Sequence, residues 1–141
     1  MGMVNTEITI KNYFDNLCVR EGHLKPEEVR SQTVTAVADT GSLHLVITEE
    51  LCEKLGLKIL GEREILIANG QYVNCKIADG VEVLWKNRFT VVQAMVIPGA
   101  KKVLFGAVPM ECMDLMVNPV SQEVVGAHGD RMETFALSYE F

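Results

Sequence analysis

The first concentrated group of reactive side chains in this 141-residue sequence is Asp39-Thr40-Gly41-Ser42. It follows directly on Thr33 to Ala38, a β-rich run, so Asp39 stands at the C-terminal end of an expected strand. A rigid element can hold a reacting group there while letting it face a cleft. A carboxylate so placed can act as general base on a water, but hydrolysis of an amide also needs an acid for the carbonyl oxygen. One carboxylate cannot hold both states. Two carboxyl groups close together resist double ionisation and share a proton, which supplies a base and an acid in one site. The sequence has a single Asp-Thr-Gly, so the second carboxyl would have to come from another copy of the chain through a two-fold axis. Gly41 lets the backbone approach such a pair and leaves room for substrate. Ser42 is expected to donate a hydrogen bond to Asp39 and favour its charged form.

Other chemistries fit the residues less well. Asp79-Gly80 and Asp130 read as turn residues, Asp114 precedes a strand, and Glu49-Glu50 suit the first turn of a helix, so each of these acids is expected to be solvated. An aspartyl-nucleophile phosphatase would want a second Asp two residues after the first, where Gly41 stands, and no Gly-rich phosphate loop is present. Cys18, Cys52, Cys75 and Cys112 are widely and unequally spaced, as are His23, His44 and His128. Neither a zinc site nor a disulfide framework is encoded locally, and free thiols are expected. No metal and no cofactor is expected.

The elements that must position Asp39 are mostly strands. Val4, Thr6, Ile8 and Ile10 alternate on one side of a first strand. Residues Gly2 to Thr6 also fit the short N-myristoylation pattern, but the strand is the better reading of them. Asn12 to Val29 reads as a turn-rich excursion with some helix, interrupted by Gly22 and Pro26. Thr48 can N-cap a short helix that Gly56 ends. Ile65 and Ile67, then Asn69-Gly70, then Tyr72 to Ile77 signal a hairpin with a tight primed turn, because Asn-Gly supplies positive φ angles. Val81, Val83 and Trp85, and then Phe89 to Ile97, form two more strands around a turn at Lys86-Asn87. Val103-Leu104-Phe105-Gly106 reads as a short buried strand, Ala107 to Met113 as a two-turn helix, and Leu115 to Val117 and Glu123 to Gly126 as final strands. The tail 127–141 shows no period and stays unassigned. Many short strands at regular turn signals predict a mainly β protein, a barrel or sandwich with two short helices.

Composition sets the outer limits. The length suits one domain, residues 1–141, with a core of about 4–126. At 48% hydrophobic and 23% charged the chain has the make-up of a soluble globular protein that folds. A net charge of −6 without a basic run excludes a nucleic-acid partner as an expectation. The absence of an apolar leader or a bilayer-length apolar run predicts a cytoplasmic protein with no membrane association.

The order of motifs resembles the retropepsin-like aspartic peptidases, and in particular the small single-lobe, retroviral-protease-like proteins of prokaryotes. The matching stretches are Val37 to Ser42, Glu53 to Leu57, Ala68-Asn69-Gly70, and Val103 to Gly106 through Pro109-Met110-Glu111 to Val117-Asn118-Pro119, together covering about residues 4 to 126. The resemblance implies a closed β-barrel that acts as a homodimer. It implies Asp39 as the catalytic residue, with Thr40, Gly41 and Ser42 supporting the active loop. Ile67, Ala68, Asn69 and Gly70 would form a flap hairpin over the substrate, and Leu104, Phe105 and Gly106 a strand that braces the loop. Thr40 would hydrogen-bond across the dimer; its alternative role is to cap its own turn. Two residues depart from the pattern. His44 stands where such loops often carry a small or hydroxyl residue, and Ala38 is smaller than the usual branched residue before the Asp. The implied activity is that of an aspartic endopeptidase on peptide or protein substrates. The alternative is a dimeric peptide-binding or assembly module on the same fold with little or no proteolysis, since a fold does not fix its function. A small-molecule enzyme using the β-cleft is a third option, without a cofactor motif to favour it.

Overall fold

The structure is a computed structural model, and it describes residues 3–131. Residue 2 of the myristoylation pattern and residues 132–141 of the tail lie outside the described residues. Strand β1 (Val4–Asn12) alternates as its sequence requires, with Ile8 and Ile10 fully buried and Glu7 exposed. Up to its penultimate residue it pairs antiparallel with β2 (Ser31–Ala38), from Val4 opposite Ala38 to Lys11 opposite Ser31.

Between them runs a helix, α1 (Tyr13–Arg20), in the segment whose sequence suggests a turn-rich excursion. Its start depends on Asn12, whose side chain accepts from the Asp15 N–H at 3.1 Å and donates to the Leu55 carbonyl at 2.9 Å. The bidentate pair of Arg30 with Asp15, 2.9 and 3.0 Å, ties the helix to the residue just before β2. Together with α2 (Glu49–Lys54) and α3 (Ala107–Cys112) this makes three short α-helices among the described residues rather than two, besides one 3-10 turn at Pro26–Glu28. Thr48 caps α2 as expected, accepting from the Leu51 N–H at 3.1 Å, and Gly56 ends it with φ +59°.

The remaining strands are β3 (Leu45–Ile47), β4 (Lys58–Leu66), β5 (Tyr72–Trp85), β6 (Arg88–Val96), β7 (Val103–Phe105), β8 (Leu115–Asn118) and β9 (Glu123–Gly126). The order is β1-β2-β7-β3-β6-β5, and β5 returns to β1, with Thr9 opposite Leu84 and Asn12 opposite Val81. A closed six-stranded barrel results, with β4 added outside β5. Closure satisfies the ladder bonds that an open sheet leaves at its edges. Ile8, Ile10, Leu45, Ile47, Val81, Val83 and Phe105 point into the core without exposure.

Two turns differ from their sequence reading. Asp79-Gly80 does not end a strand. It forms a bulge inside β5, with Gly80 at φ +63° and the register shifting between Ala78 and Val81. The kink lets one strand pair with β4 on one side of the bulge and close the barrel on β1 on the other. A Cβ on Gly80 would press into the Phe14 ring at 2.6 Å, so glycine is required twice over. The hairpin between β4 and β5 is present, but its turn is not the two-residue primed type. Only Gly70 has positive φ, at +84°. Ile67 N–H donates to the Gln71 carbonyl and Gly70 N–H to the Ile67 carbonyl, each at 3.0 Å, giving a three-residue loop, Ala68 to Gly70. Asn69 serves instead through its side chain, which accepts from the Gln71 N–H at 2.9 Å.

Asp114 is the acid most clearly misread, because its carboxylate is largely covered rather than solvated. It faces His128 Nδ1 at 2.9 Å and lies 4.0 Å from the buried Arg88. Arg88 donates to the carbonyls of Met113, Asp114 and Gly129 at 3.0, 2.7 and 2.6 Å. It thus fastens the β8–β9 hairpin and residues 127–129 to the barrel.

Candidate active site

Strand β2 leads into the loop 39–44 and β3 leads out of it. Between these two strands lies β7, parallel to β2, with Ala38 opposite Phe105, and antiparallel to β3, with Val46 opposite Leu104. The loop is therefore closed over the end of a third strand. Asp39 N–H donates to the Phe105 carbonyl at 3.0 Å, Ala107 N–H to the Ser42 carbonyl at 2.8 Å, and Val108 N–H to the Leu43 carbonyl at 2.9 Å. Gly106 makes this possible: a Cβ there would collide with the carbonyl oxygens of His44 and Ser42. The loop has little freedom to move.

Within the loop, Gly41 N–H donates to Asp39 Oδ1 at 2.9 Å, and Ser42 N–H donates to the Asp39 carbonyl at 3.0 Å. One carboxylate oxygen is thus oriented by the backbone. A Cβ on Gly41 would come within 3.2 Å of that oxygen, so the residue is small for a local reason. The Ser42 hydroxyl does not reach Asp39. It donates, at a long 3.4 Å, to the His44 carbonyl, which corrects the sequence reading of this residue. Thr40 is exposed, and its hydroxyl makes no hydrogen bond among the described residues, so it does not cap its own turn.

Asp39 opens onto a cleft of about 500 Å³. The hairpin covers one side of it with Ile65, Leu66, Ile67 and Ala68, and Val46, Met95, Ile97 and Leu104 form an apolar wall. Gly41, Ser42, Leu43 and His44 complete the lining. Of the hairpin residues picked out in the sequence, Ile67 and Ala68 reach the cleft; Asn69 and Gly70 make the turn beyond it. Of the bracing strand, Leu104 lines the cleft while Phe105 is wholly in the core. Sequence reasoning missed Val46, Met95 and Ile97 because each is only one more apolar residue in a strand. Behind the wall, burial pushes the Cys75 thiol upward in pKa, and its sulfur lies 3.9 Å from Met95 Sδ. That thiol is a packing group.

Barrel, bulged strand and braced loop put the molecule among the small β-barrels built around an Asp-Thr-Gly turn. Comparison with family models takes this further, and the chain belongs to the retropepsin-like aspartyl proteases: the model described as aspartyl protease matches residues 26–117, well over half of it. The active loop, the hairpin and β7 all lie inside the match; β1, which closes the barrel, lies outside it. No curated protein matches the chain. Among the described residues no helix is long and apolar enough to cross a membrane.

Proposed function

We propose that the chain is an aspartic endopeptidase that works as a homodimer, with the Asp39 carboxyls of two copies sharing one proton around a water. The observation that supports this most directly is the orientation of Asp39: a carboxylate held by the Gly41 N–H at a rigid strand end, open to an apolar cleft covered by a hairpin. The ionised Asp39 takes a proton from the water as its oxygen attacks the amide carbon. The protonated Asp39 of the other copy gives its proton to the carbonyl oxygen. Collapse of the resulting diol returns a proton through the pair to the departing amine, and the dyad regains its single proton. The exposed Thr40 hydroxyl, without a hydrogen bond among the described residues, suits a bond across the two-fold axis. The hairpin would close over a peptide, excluding water and adding strand-like hydrogen bonds.

The whole of residues 1–141 is read as one such domain. Four free thiols, at Cys18, Cys52, Cys75 and Cys112, favour a reducing compartment and hence the cytoplasm.

Asp39→Asn is nearly isosteric and removes the base together with the shared proton. Cleavage of a peptide mixture should fall by a factor of at least about 10³, with the fold and the dimer retained. Mixed dimers that pair one wild-type subunit with one Asp39→Asn subunit should be inactive too. Light scattering at micromolar concentration should give the mass of two chains. A monomer that cleaves, or an Asp39→Asn protein of undiminished activity, would remove the mechanism. A dimer that binds peptides equally well with and without Asp39 and cleaves none would favour a binding module.

A further inference from the structure

Three polar residues line an otherwise apolar cleft: Asp39, Ser42 and His44. Asp39 is oriented by Gly41, and the Ser42 hydroxyl is directed to the His44 carbonyl. The imidazole of His44 makes no hydrogen bond or ion pair among the described residues. Its backbone is nonetheless fixed, because its carbonyl accepts from Ser42 and packs against Gly106 too closely for any Cβ. A hydrogen-bonding side chain is therefore held on a rigid support in an apolar wall without a partner of its own.

We infer that His44 is a specificity residue, which selects a substrate carrying a carboxylate side chain, Asp or Glu, at one fixed subsite in each half of the cleft. The inference rests on the peptidase reading for its substrate class. An imidazole presents an N–H in either tautomer. Once a peptide fills the cleft, that N–H is cut off from water, and a substrate Leu opposite it would leave it unsatisfied. A carboxylate accepts the bond and makes it charge-assisted, which a substrate amide does not. Loss of a buried partner of this kind corresponds to about ten- to hundredfold in kcat/KM. In a two-fold symmetric dimer the two His44 side chains stand on opposite sides of the scissile bond, so the preference should appear once on each side.

The test is a peptide set differing only in Glu, Gln or Leu at each position around one cleaved bond, offered to the wild-type protein, His44→Leu and His44→Gln. The wild type should favour Glu over Leu by at least about tenfold at one position on each side. His44→Leu should lose that discrimination, and His44→Gln, which keeps a donor, should restore part of it. Binding of the same peptides to Asp39→Asn is measured in parallel by fluorescence anisotropy, to separate selection from chemistry. Efficient cleavage with the same Glu-to-Leu ratio in wild type and His44→Leu would overturn the inference and leave the peptidase reading standing. Absent cleavage, with Glu-selective binding that depends on His44, would do the reverse. No binding and no cleavage of any peptide would overturn both.

Discussion

Replacing Gly106 by alanine would drive a methyl group into the carbonyl oxygens of Ser42 and His44, which are backbone atoms without freedom to turn away. The expected cost is about 1–3 kcal/mol in a urea titration. The loss in peptide cleavage should be larger than that stability change explains, because the strain falls on the loop that holds Asp39. Ser42→Ala should behave oppositely. With the hydroxyl directed at the His44 carbonyl over 3.4 Å, its removal should change stability by less than about 0.5 kcal/mol and leave the alkaline limb of a kcat/KM pH profile where it was. An upward shift of that limb would mean that the hydroxyl turns to the dyad in the dimer. At this scale the sequence tells where a loop needs a small residue better than it tells what a side chain touches. Gly41 and Gly106 are legible because the lack of a side chain has one use in that setting. By sequence alone the Ser42 hydroxyl could serve the Asp39 carboxylate or a nearby carbonyl, and it is the seating of the loop by α3 and β7 that directs it to the His44 carbonyl.

Strands whose apolar residues alternate are read correctly, as are α2, α3 and the turn at Lys86-Asn87, while α1 and the turn of the β4–β5 hairpin are not. Helix α1 is hidden in its sequence because its stability is not local. It comes from the Asn12 cap and from Arg30, which lies beyond the Gly22 and Pro26 breaks. The bond from Arg30, the largest influence on Asp15, holds that carboxyl below the usual range. A lowered folded-state pKa means that this stabilisation is fully present above the unfolded value near pH 4 and is lost as pH falls through the folded one. Asp15→Asn should therefore lower stability by about 1.5–3 kcal/mol at neutral pH, and the gap between the two proteins should close below about pH 4 in matched acid titrations. The hairpin gives the same lesson. Asn69-Gly70 rightly marks a turn, but Asn69 contributes a side-chain acceptor instead of a positive φ, which lengthens the loop by a residue. Asp79-Gly80 looks like the end of a strand because a bulge and a turn need the same residues.

Across the whole molecule, the barrel order was not legible, although its membership in the β class was. Pairings such as β2 with β7 and β3 with β6 are parallel and join distant segments, for which neighbouring residues give no signal. Arg88 is the clearest omission, a cation in an alternating strand that turns out to be buried against three carbonyls. Arg88→Met should cost about 3 kcal/mol in thermal unfolding and speed amide exchange across β8 and β9 before the barrel itself opens. Uniform exchange throughout would show that the β8–β9 hairpin does not depend on this anchor. The position of β7 has a further consequence in time. Its residues, 103–105, are made long after the loop they brace, and the three backbone bonds that seat the loop come from Phe105, Ala107 and Val108. During synthesis Asp39 therefore precedes its backbone partners by more than sixty residues, and the loop lacks these three bonds until nearly the whole barrel has been made. Contacts so far apart in sequence form slowly. The order of synthesis thus makes the seating of this loop one of the last steps in completing the barrel.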